Sequence, residues 1–308
     1  MSKRVLITGG AGFIGSHLVR HFAGQAQVTV LDDLRSGYAH NLDGVACRFV
    51  RGSILDAQAL REAMAGAEEV YHLAAMISVP ESVAKPAECA ELNTEGTRRV
   101  LDAALAAGAR KVVLASSAAI YGDNPTVPKL ESMTPEPKSP YAQTKLAGEH
   151  LLEAYRETHG LGTTSLRFFN VFGPRQDPRS AYAAAVPIFI AKALRDEPIG
   201  IHGDGGQTRD FVHVTDIVGA LAYAGASADM AGTYNVGYGR SQSILELAQE
   251  ILRLTGSNST IEHLPPRAGD VRHSLASTER LLVAGWKPES SVKAGLAETV
   301  DFYRQLKG

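Results

Sequence analysis

Short apolar runs alternate with longer amphipathic stretches over the first half of the chain. The apolar runs suit buried strands, and the stretches between them have the spacing of helices. Regular alternation of this kind predicts an α/β fold with a doubly wound parallel sheet. The predicted strands are Val5–Ile7, Val28–Leu31, Cys47–Val50, Val70–Leu73, Lys111–Leu114 and Ser165–Phe169, and the predicted helices are Ile14–Phe22, Ala57–Met64, Thr94–Ala107 and Ala142–His159.

Gly9, Gly12 and Gly15 lie between the first predicted strand and the first predicted helix. Glycine permits positive φ and close approach of the backbone to a pyrophosphate, which the helix N-terminus also attracts. The first two glycines are one residue further apart than in the usual dinucleotide fingerprint, and a flexible turn is the alternative. The arrangement predicts a Rossmann loop that cradles an anion.

Asp32 and Asp33 end the second predicted strand, where the dinucleotide fingerprint expects an acid about 20 residues beyond the loop. A carboxylate there binds the adenine ribose 2′-hydroxyl and repels a 2′-phosphate, so the sequence favours NAD over NADP. Arg35 lies close enough to leave NADP open, and a helix-capping Asp pair is the alternative interpretation.

The regular alternation of strand and helix patterns ends after Asn170, and Gly- and Pro-rich segments follow. Gly- and Pro-rich segments at 173–178 and 203–206 predict loops, with a helix between Ala181 and Arg195. Residues 233–236 have a strand pattern and are expected to return to the sheet. We therefore predict a Rossmann domain at 1–170, with 211–240 returning to it, and a smaller interleaved α/β substrate-binding cap at 171–308.

Tyr141 and Lys145 stand one helical turn apart, just after Pro140, which suits the first turn of a helix. An ammonium held beside a phenol lowers the phenol pKa from about 10, so Tyr141 is a candidate base near neutrality. The pair alone is a weak signal, because the two residues meet at this spacing on many solvated helices. With the glycine loop upstream, it predicts a proton shuttle.

Composition indicates an ordinary globular protein. Of 308 residues, 44% are hydrophobic, and 31 Lys plus Arg against 33 Asp plus Glu give a net charge of -2. This balance argues against a nucleic-acid partner. No leader precedes the first strand and no apolar stretch approaches the roughly 20 residues that span a bilayer, so we expect a cytoplasmic protein without a membrane partner. His17 and His21 share a helix face without a third ligand, so no metal site is expected.

Five segments jointly resemble the extended short-chain dehydrogenase/reductase family, and within it the UDP-hexose 4-epimerase group. They are Thr8–Gly15, His72–Ala75, Asn93–Thr97, Ser116–Gly122 and Tyr141-x-x-x-Lys145. The resemblance runs to about Trp286. It implies a tightly held NAD and C4 epimerisation of a UDP-hexose through a transient 4-keto sugar.

The same resemblance implies roles for individual residues. Ser117 hydrogen-bonds the sugar O4, Tyr141 takes its proton, and Lys145 binds the nicotinamide ribose and tunes the phenol. The implied NAD-binding residues are Gly9, Gly12, Phe13, Ile14, Gly15, Asp32, Asp33, Ser36, Gly37, Ser53, Ile54, Leu73, Ala74, Ala75, Asn93, Ala115, Tyr141, Lys145 and Phe168. The implied substrate-binding residues are Ser117, Tyr141, Asn170, Gln176, Ala184, Arg209, Arg267, Asp270 and Ser274.

Departures from the family pattern bear on the reaction. Ala118 and Ala119 stand where dehydratases of this superfamily carry a Thr-Asp or Thr-Glu pair, and neither alanine transfers a proton, so oxidation and re-reduction at C4 fit better than elimination. Arg175 or Arg179 near a sugar carboxylate keeps a UDP-glucuronate epimerase or decarboxylase open. An NAD-binding regulator without catalysis is a further alternative. Gly52-Ser53-Ile54 replaces the family's Gly-Asp-Ile, so Ser53 is expected to bind adenine more weakly.

Substrate size and assembly are also predicted. Ser274 stands four residues beyond Asp270. The family resemblance implies a bulky tyrosine at this position in epimerases that are restricted to plain hexoses. A small side chain there, with Gln176 and the small Ala183–Ala184 pair, favours UDP-N-acetylglucosamine and UDP-N-acetylgalactosamine alongside UDP-glucose and UDP-galactose. Leu101–Gly108 carries Ala or Leu on both helix faces, which suggests a homodimer seam.

Overall fold

A computed structural model describes residues 2–178, 184–266 and 271–306. Within these ranges a parallel sheet has the strand order β10-β6-β5-β4-β1-β2-β3. Its strands are β1 (Arg4–Thr8), β2 (Gln27–Asp32), β3 (Arg48–Arg51), β4 (Glu69–His72), β5 (Lys111–Ser117), β6 (Gly162–Phe168) and β10 (Gly232–Val236), and the remaining strands are β7 (Asn170–Phe172), β8 (Ile199–His202), β9 (Thr208–His213), β11 (Ser241–Ser243) and β12 (Ile261–Leu264).

Helices cover both faces of this sheet and build the second layer of the smaller unit. They are α1 (Phe13–Phe22), α2 (Ala57–Met64), α3 (Val79–Ala84), α4 (Pro86–Ala90), α5 (Gly96–Ala106), α6 (Pro140–His159), α7 (Ala185–Ala193), α8 (Val214–Ala226), α9 (Ile244–Thr255), α10 (Glu279–Val283) and α11 (Val292–Gln305). One buried cluster packs α1 and α8 on one face of the sheet, and another packs α2, α5 and α6 on the other. The predicted doubly wound Rossmann fold is confirmed.

The chain reverses its direction of travel across the sheet between β1 and β4. After β3 it returns to place β4 beside β1, on the side opposite β2. Ligands of open α/β sheets bind at this switch point, outside the carboxyl ends of the strands. The glycine loop after β1 and the Ser116–Ser117 end of β5 therefore open into one crevice.

A smaller unit stands above this crevice. The strands β7, β9 and β11 form a second sheet, and β8 pairs with β12. The helices α7, α9 and α11 enclose a core with them. Since α8 and β10 pack on the main sheet, the chain passes from one unit to the other more than once. These observations support the proposed division into a Rossmann domain and an interleaved cap.

Candidate active site

A cavity of about 1020 Å³ runs along the carboxyl ends of the main strands and under the cap. Most of the residues singled out from the sequence line it: Gly9, Gly12, Phe13, Ile14, Gly15, Asp32, Asp33, Ser36, Gly37, Ser53, Ile54, Leu73, Ala74, Ala75, Ala115, Ser117, Tyr141, Lys145, Phe168, Asn170, Gln176, Ala184 and Arg209. Asn93 and Ser274 are described but do not line it. Arg267 and Asp270, like Arg179 and Ala183, lie outside the described residues.

The glycines of the loop are required for two different reasons. A Cβ on Gly9, whose φ is +72°, would stand 2.7 Å from the Ala74 nitrogen, and one on Gly15 would stand 2.1 Å from the Gly9 oxygen. A Cβ on Gly12 would meet only the Gly9 oxygen, at 3.2 Å, and Gly12 lines the cavity with an ordinary negative φ. Packing against the protein itself therefore excludes side chains at Gly9 and Gly15. At Gly12 a side chain would instead occupy space inside the cavity, where a ligand binds. This cradle fits a dinucleotide pyrophosphate.

Asp32 fixes the geometry of the loop. One carboxylate oxygen accepts from the Ala11 N–H at 2.9 Å, and the other accepts from the Leu34 N–H at 2.8 Å. Burial raises the pKa of Asp32, and these two N–H groups counteract it in part. The Asp32 carboxylate thus connects the glycine loop to the end of β2. It does not cap a following helix, which was the alternative interpretation of the Asp pair. Asp33 beside it is exposed and lines the cavity.

Arg35, the residue that left NADP open, is engaged by two carboxylates. Its Nη2 lies 3.0 Å from Glu81 and 2.6 Å from Glu88. A guanidinium neutralised in this way is poorly suited to a 2′-phosphate. The surroundings of Asp32 and Arg35 therefore fit NAD.

Ser53 lies where the family has an acid. Its Oγ accepts from the Leu55 N–H at 3.2 Å, and the residue lines the cavity beside Ile54. The nearby acid, Asp56, accepts from the Gln58 and Ala59 N–H groups and so caps α2. The end of β3 therefore presents the Ser53 hydroxyl to the cavity, and its contact with adenine stays a prediction.

The N-terminus of α6 positions the Tyr141 and Lys145 pair. Ser139 caps the helix by accepting from the Ala142 N–H, and Ser82 of α3 accepts from the Tyr141 N–H at 3.2 Å. Lys145 is 6% exposed, and its ammonium donates to the Ala115 carbonyl at 2.8 Å. Burial lowers the Lys145 pKa to about 8. Both side chains face the end of β5.

Electrostatics at Tyr141 differ from the sequence-based expectation. Burial raises the pKa of Tyr141, and a hydrogen bond with Ser117 only partly offsets this. The lowering expected from Lys145 does not outweigh burial in this geometry, where the ammonium lies 5.8 Å from the ring centroid and donates to the Ala115 carbonyl. Ser117 is the group that the structure places against the phenol.

Asn93 lies beneath the cavity floor. Its side chain accepts from the Met76 N–H at 2.7 Å and donates to the Met76 carbonyl and to the Thr144 hydroxyl. Thr144 in turn donates to the Tyr141 carbonyl. With these bonds made, Asn93 braces the loop after β4 against the Tyr141 helix. A direct contact with NAD stays a prediction.

His72 joins the same brace to the glycine loop. The Thr97 hydroxyl donates to the Asn93 carbonyl, so it accepts from His72 Nε2, and Thr8 then donates to His72 Nδ1 at 2.8 Å. The ring is fully buried, and burial lowers its pKa to about 3. His72 is therefore neutral, with the proton on Nε2.

The cap side of the cavity presents polar groups. Gln176 Oε1 is buried and has no hydrogen-bond partner within the described chain, so it is available to accept a hydrogen bond from a ligand. Arg209 lines the wall and donates to the Thr208 carbonyl. Ser274 donates its N–H to the same carbonyl, which places its backbone next to Arg209. The cap thus offers a cation and an acceptor to a ligand.

Several lining residues were not found from the sequence. The loop after β2 contributes Tyr38, the segment before and within α3 contributes Ile77 and Val79, and the cap contributes Lys192 and His202. Ile77 is 64% exposed, which is unusual for isoleucine and typical of a ligand-binding surface. The sequence pattern does not give the exposure of a side chain, so it did not indicate this residue. In the parts of the chain that the structure describes, no group of His, Cys, Asp or Glu is placed to hold a metal ion, and no helix there is long and apolar enough to cross a bilayer.

Comparisons with known proteins agree with this geometry. A family described as "NAD dependent epimerase/dehydratase family" matches residues 5–237. The UDP-glucose 4-epimerase of Mycolicibacterium smegmatis is 43% identical over 98% of both chains. The solved UDP-N-acetylglucosamine 4-epimerase of Methanobrevibacter ruminantium M1, in complex with UDP-N-acetylmuramic acid, has a TM-score of 0.96 and 38% identity and covers 99% of each chain. A dTDP-glucose 4,6-dehydratase of Streptomyces niveus is 34% identical over 98% of this chain and 93% of its own.

The resemblance found in the sequence is thereby confirmed. NAD is the cofactor, and isomerisation of the UDP-sugar 4-epimerase type is the reaction class of this enzyme. The chain belongs to the NAD-dependent epimerase/dehydratase family.

Proposed function

We propose that this enzyme epimerises UDP-hexoses at C4, interconverting UDP-N-acetylglucosamine with UDP-N-acetylgalactosamine and UDP-glucose with UDP-galactose. The observation that carries the proposal is the meeting of Ser117, Tyr141 and Lys145 at the floor of a cavity whose far end is the glycine cradle.

Each side chain has a separate task. Gly12 and the α1 N-terminus would hold the pyrophosphate of NAD, Asp32 and Asp33 would hold its adenine ribose, and Lys145 would hold the nicotinamide ribose. Bound NAD would supply reversible hydride transfer at sugar C4, with return of the hydride to the opposite face. Tyr141 Oη receives the proton of the sugar O4 and later gives it back.

Ser117 completes the proton path. It accepts from the Ala119 N–H at 3.1 Å and hydrogen-bonds Tyr141, so its hydroxyl is oriented between the backbone turn and the phenol. A sugar O4 bound there would meet both hydroxyls. Because burial raises the Tyr141 pKa, the Ser117 hydrogen bond and the bound cofactor together must lower it for catalysis.

Elimination is less well supported than epimerisation. Ala118 and Ala119 form the short turn directly after Ser117, the place from which an acid or base would reach the sugar. A methyl group transfers no proton. The UDP-glucuronate alternative retains one supporting observation, because the Arg175 guanidinium lines the cavity and lies over the Phe302 ring at 5.6 Å.

Room for a 2-acetamido group is the finer part of the proposal. Ala184 is a small residue in the cavity wall, and Ser274 follows the segment that holds Arg267 and Asp270 in sequence. Similarity to the M. ruminantium enzyme supports the same choice. A cytoplasmic location remains a prediction.

The test is turnover without added NAD. Purified protein incubated separately with UDP-N-acetylglucosamine, UDP-glucose and UDP-glucuronate should give C4 epimers of the first two, resolved by NMR. Tyr141→Phe should abolish turnover while NAD stays bound, since only the proton shuttle is removed. Ser274→Tyr should suppress the acetamido substrate more than UDP-glucose.

The contrary outcomes are distinct. No product from any sugar would remove the epimerase and favour a regulator, and a 4-keto-6-deoxy product would select a dehydratase. Epimerised or decarboxylated UDP-glucuronate alone would select the second candidate. Equal loss on both hexoses in Ser274→Tyr would refute the acetamido gate.

A further inference from the structure

We propose that Glu149 is a positioning residue, which holds Ser117 and Lys145 in working geometry through a buried network of Ser116, Arg167 and Tyr121. The inference rests on the proposed function and adds a residue to it, since neither Glu149 nor Arg167 touches the substrate cavity.

Glu149 joins the two elements that carry the catalytic side chains. It follows Lys145 by one helical turn, so Tyr141, Lys145 and Glu149 form one stripe of α6. Its Oε1 accepts from the Ser116 hydroxyl at 2.6 Å, and Ser116 directly precedes Ser117. The stripe therefore contacts the end of β5 twice, through Lys145 to Ala115 and through Glu149 to Ser116.

Arg167 locks the Glu149 carboxylate in a single orientation. Its Nε and Nη2 donate to the two carboxylate oxygens at 2.9 and 2.7 Å, in the bidentate geometry that is the strongest for this pair. Both side chains are 5% exposed. Arg167 lies opposite Ser116 in the β5–β6 register, so the pair also spans the two strands.

The network continues away from the cavity. Arg167 Nη1 donates to the Tyr121 hydroxyl at 2.9 Å, and that hydroxyl donates to Asn235 of β10. Tyr121 ends the turn that begins after Ser117. Every donor in this network has one acceptor, and Glu149 Oε1 accepts from both Ser116 and Arg167. A satisfied buried network of this kind specifies one arrangement of its elements.

Charge gives Glu149 a second influence on the site. The groups that act on the Lys145 ammonium are the Cys89 thiol of α4, the neutral His72 of β4, the Tyr141 phenol and the Glu149 carboxylate. Glu149 favours the charged ammonium against the effect of burial. Loss of that carboxylate should make Lys145 easier to deprotonate.

The experiment uses Glu149→Gln in the NAD-loaded enzyme. The amide keeps the shape but not the charge, so kcat should fall by roughly ten- to a hundredfold with little change in KM. The alkaline limb of the kcat profile should move to lower pH. NMR of ¹⁵N-lysine-labelled protein, with the signal assigned by Lys145→Met, should show a lowered Lys145 pKa.

Glu69→Gln is the matched control. Glu69 is 2% exposed and is bonded by Lys3, Arg110 and Tyr71 at the opposite end of the sheet. It should lose stability without any change in the pH profile. If Glu149→Gln keeps the wild-type kcat, pH limb and Lys145 signal, the inference is overturned.

Other outcomes are separable. A wild type that turns over no sugar would refute the proposed function, whereas the lysine signal would still decide the role of Glu149. Should Glu149→Gln not fold, Ser116→Ala breaks the bond to β5 and leaves the ion pair in place. A tenfold or greater fall in its kcat with little change in KM supports the inference, and a wild-type kcat overturns it.

Discussion

Gly12 differs from the other glycines of the loop, because the space beside its Cα is part of the cavity and is not filled by the protein itself. Its backbone φ is -76°, which any residue adopts, and an added Cβ would meet one oxygen at 3.2 Å. Gly9 and Gly15 lack this freedom, because the chain itself occupies the space. Stability and cofactor binding are therefore separable within one motif.

Gly12→Ala should fold with a free energy of unfolding within about 1 kcal/mol of the wild type, because its backbone strain is small. NAD affinity should fall by about ten- to a hundredfold, the effect of overpacking by one methyl group. Calorimetric titration of the apoprotein with NAD measures it. Gly219→Ala, with a similar 3.3 Å contact to Trp286, is the control and should bind NAD normally. Equal NAD affinity in both variants would contradict the interpretation.

Residues that act through local spacing were found from the sequence, and residues that act through tertiary contact were not. The Tyr141 and Lys145 spacing and the glycine loop are visible within seven residues each. Glu149 and Arg167 are 18 residues apart and resemble ordinary helix and strand charges until β6 brings them together. The raised pKa of Tyr141 likewise follows from burial, which no spacing records.

Elements with sequence-encoded ends were predicted best. The predicted helix Ala57–Met64 matches α2 because Asp56 caps it, and α6 ends at Gly160 in the left-handed conformation. The predicted helix Thr94–Ala107 begins too late. The chain is already helical from Pro86 and passes through a π turn at Glu91–Glu95, which holds Asn93 inward toward α6. A π turn leaves no simple periodicity to detect.

The outer surface of α5 bears on assembly, and we propose that it forms a homodimer seam with α6. Leu101 and Ala104 are buried on the sheet side, whereas Leu105 is 37% exposed and Asp102 bonds Tyr155 of α6. Sedimentation at micromolar concentration should give the mass of two chains, and Leu105→Glu should shift it toward one. Leu282→Glu, exposed on α10, is the control. A wild type with the mass of one chain would count against the seam.

At the scale of the whole molecule, buried histidines link folding to pH. His17 of α1 bonds the Pro174 carbonyl in the loop that leads to the cap, His72 lies in β4, and His213 precedes α8. Burial lowers the pKa of His17 to about 4 and of His72 to about 3, and it also lowers that of His213. In the unfolded chain each ring binds its proton near pH 6.5.

Folding below pH 6.5 must therefore expel protons from these rings. Their contribution to the free energy of unfolding is fully present above about pH 7 and is lost as the pH falls toward 4. His17 and His72 together give a slope that approaches about 2.7 kcal/mol per pH unit, and His213 adds to it in the same direction. Urea unfolding between pH 7.5 and 4.5 measures it, and a flat profile from pH 7 to 5 would contradict the argument.

The contribution of His17 to this proton linkage can be removed while its hydrogen bond to Pro174 is kept. His17→Gln keeps a side-chain N–H for the Pro174 carbonyl but cannot take up a proton, so the slope should decrease by about 1.4 kcal/mol per pH unit. His150→Gln, exposed on α6, should leave the slope unchanged. Because His17 joins α1 to the loop that enters the cap, the cost of burying its imidazolium in acid falls on that junction. Loss of NAD in acid should then precede the loss of helical circular dichroism, and the reverse order would show that His17 does not hold the junction.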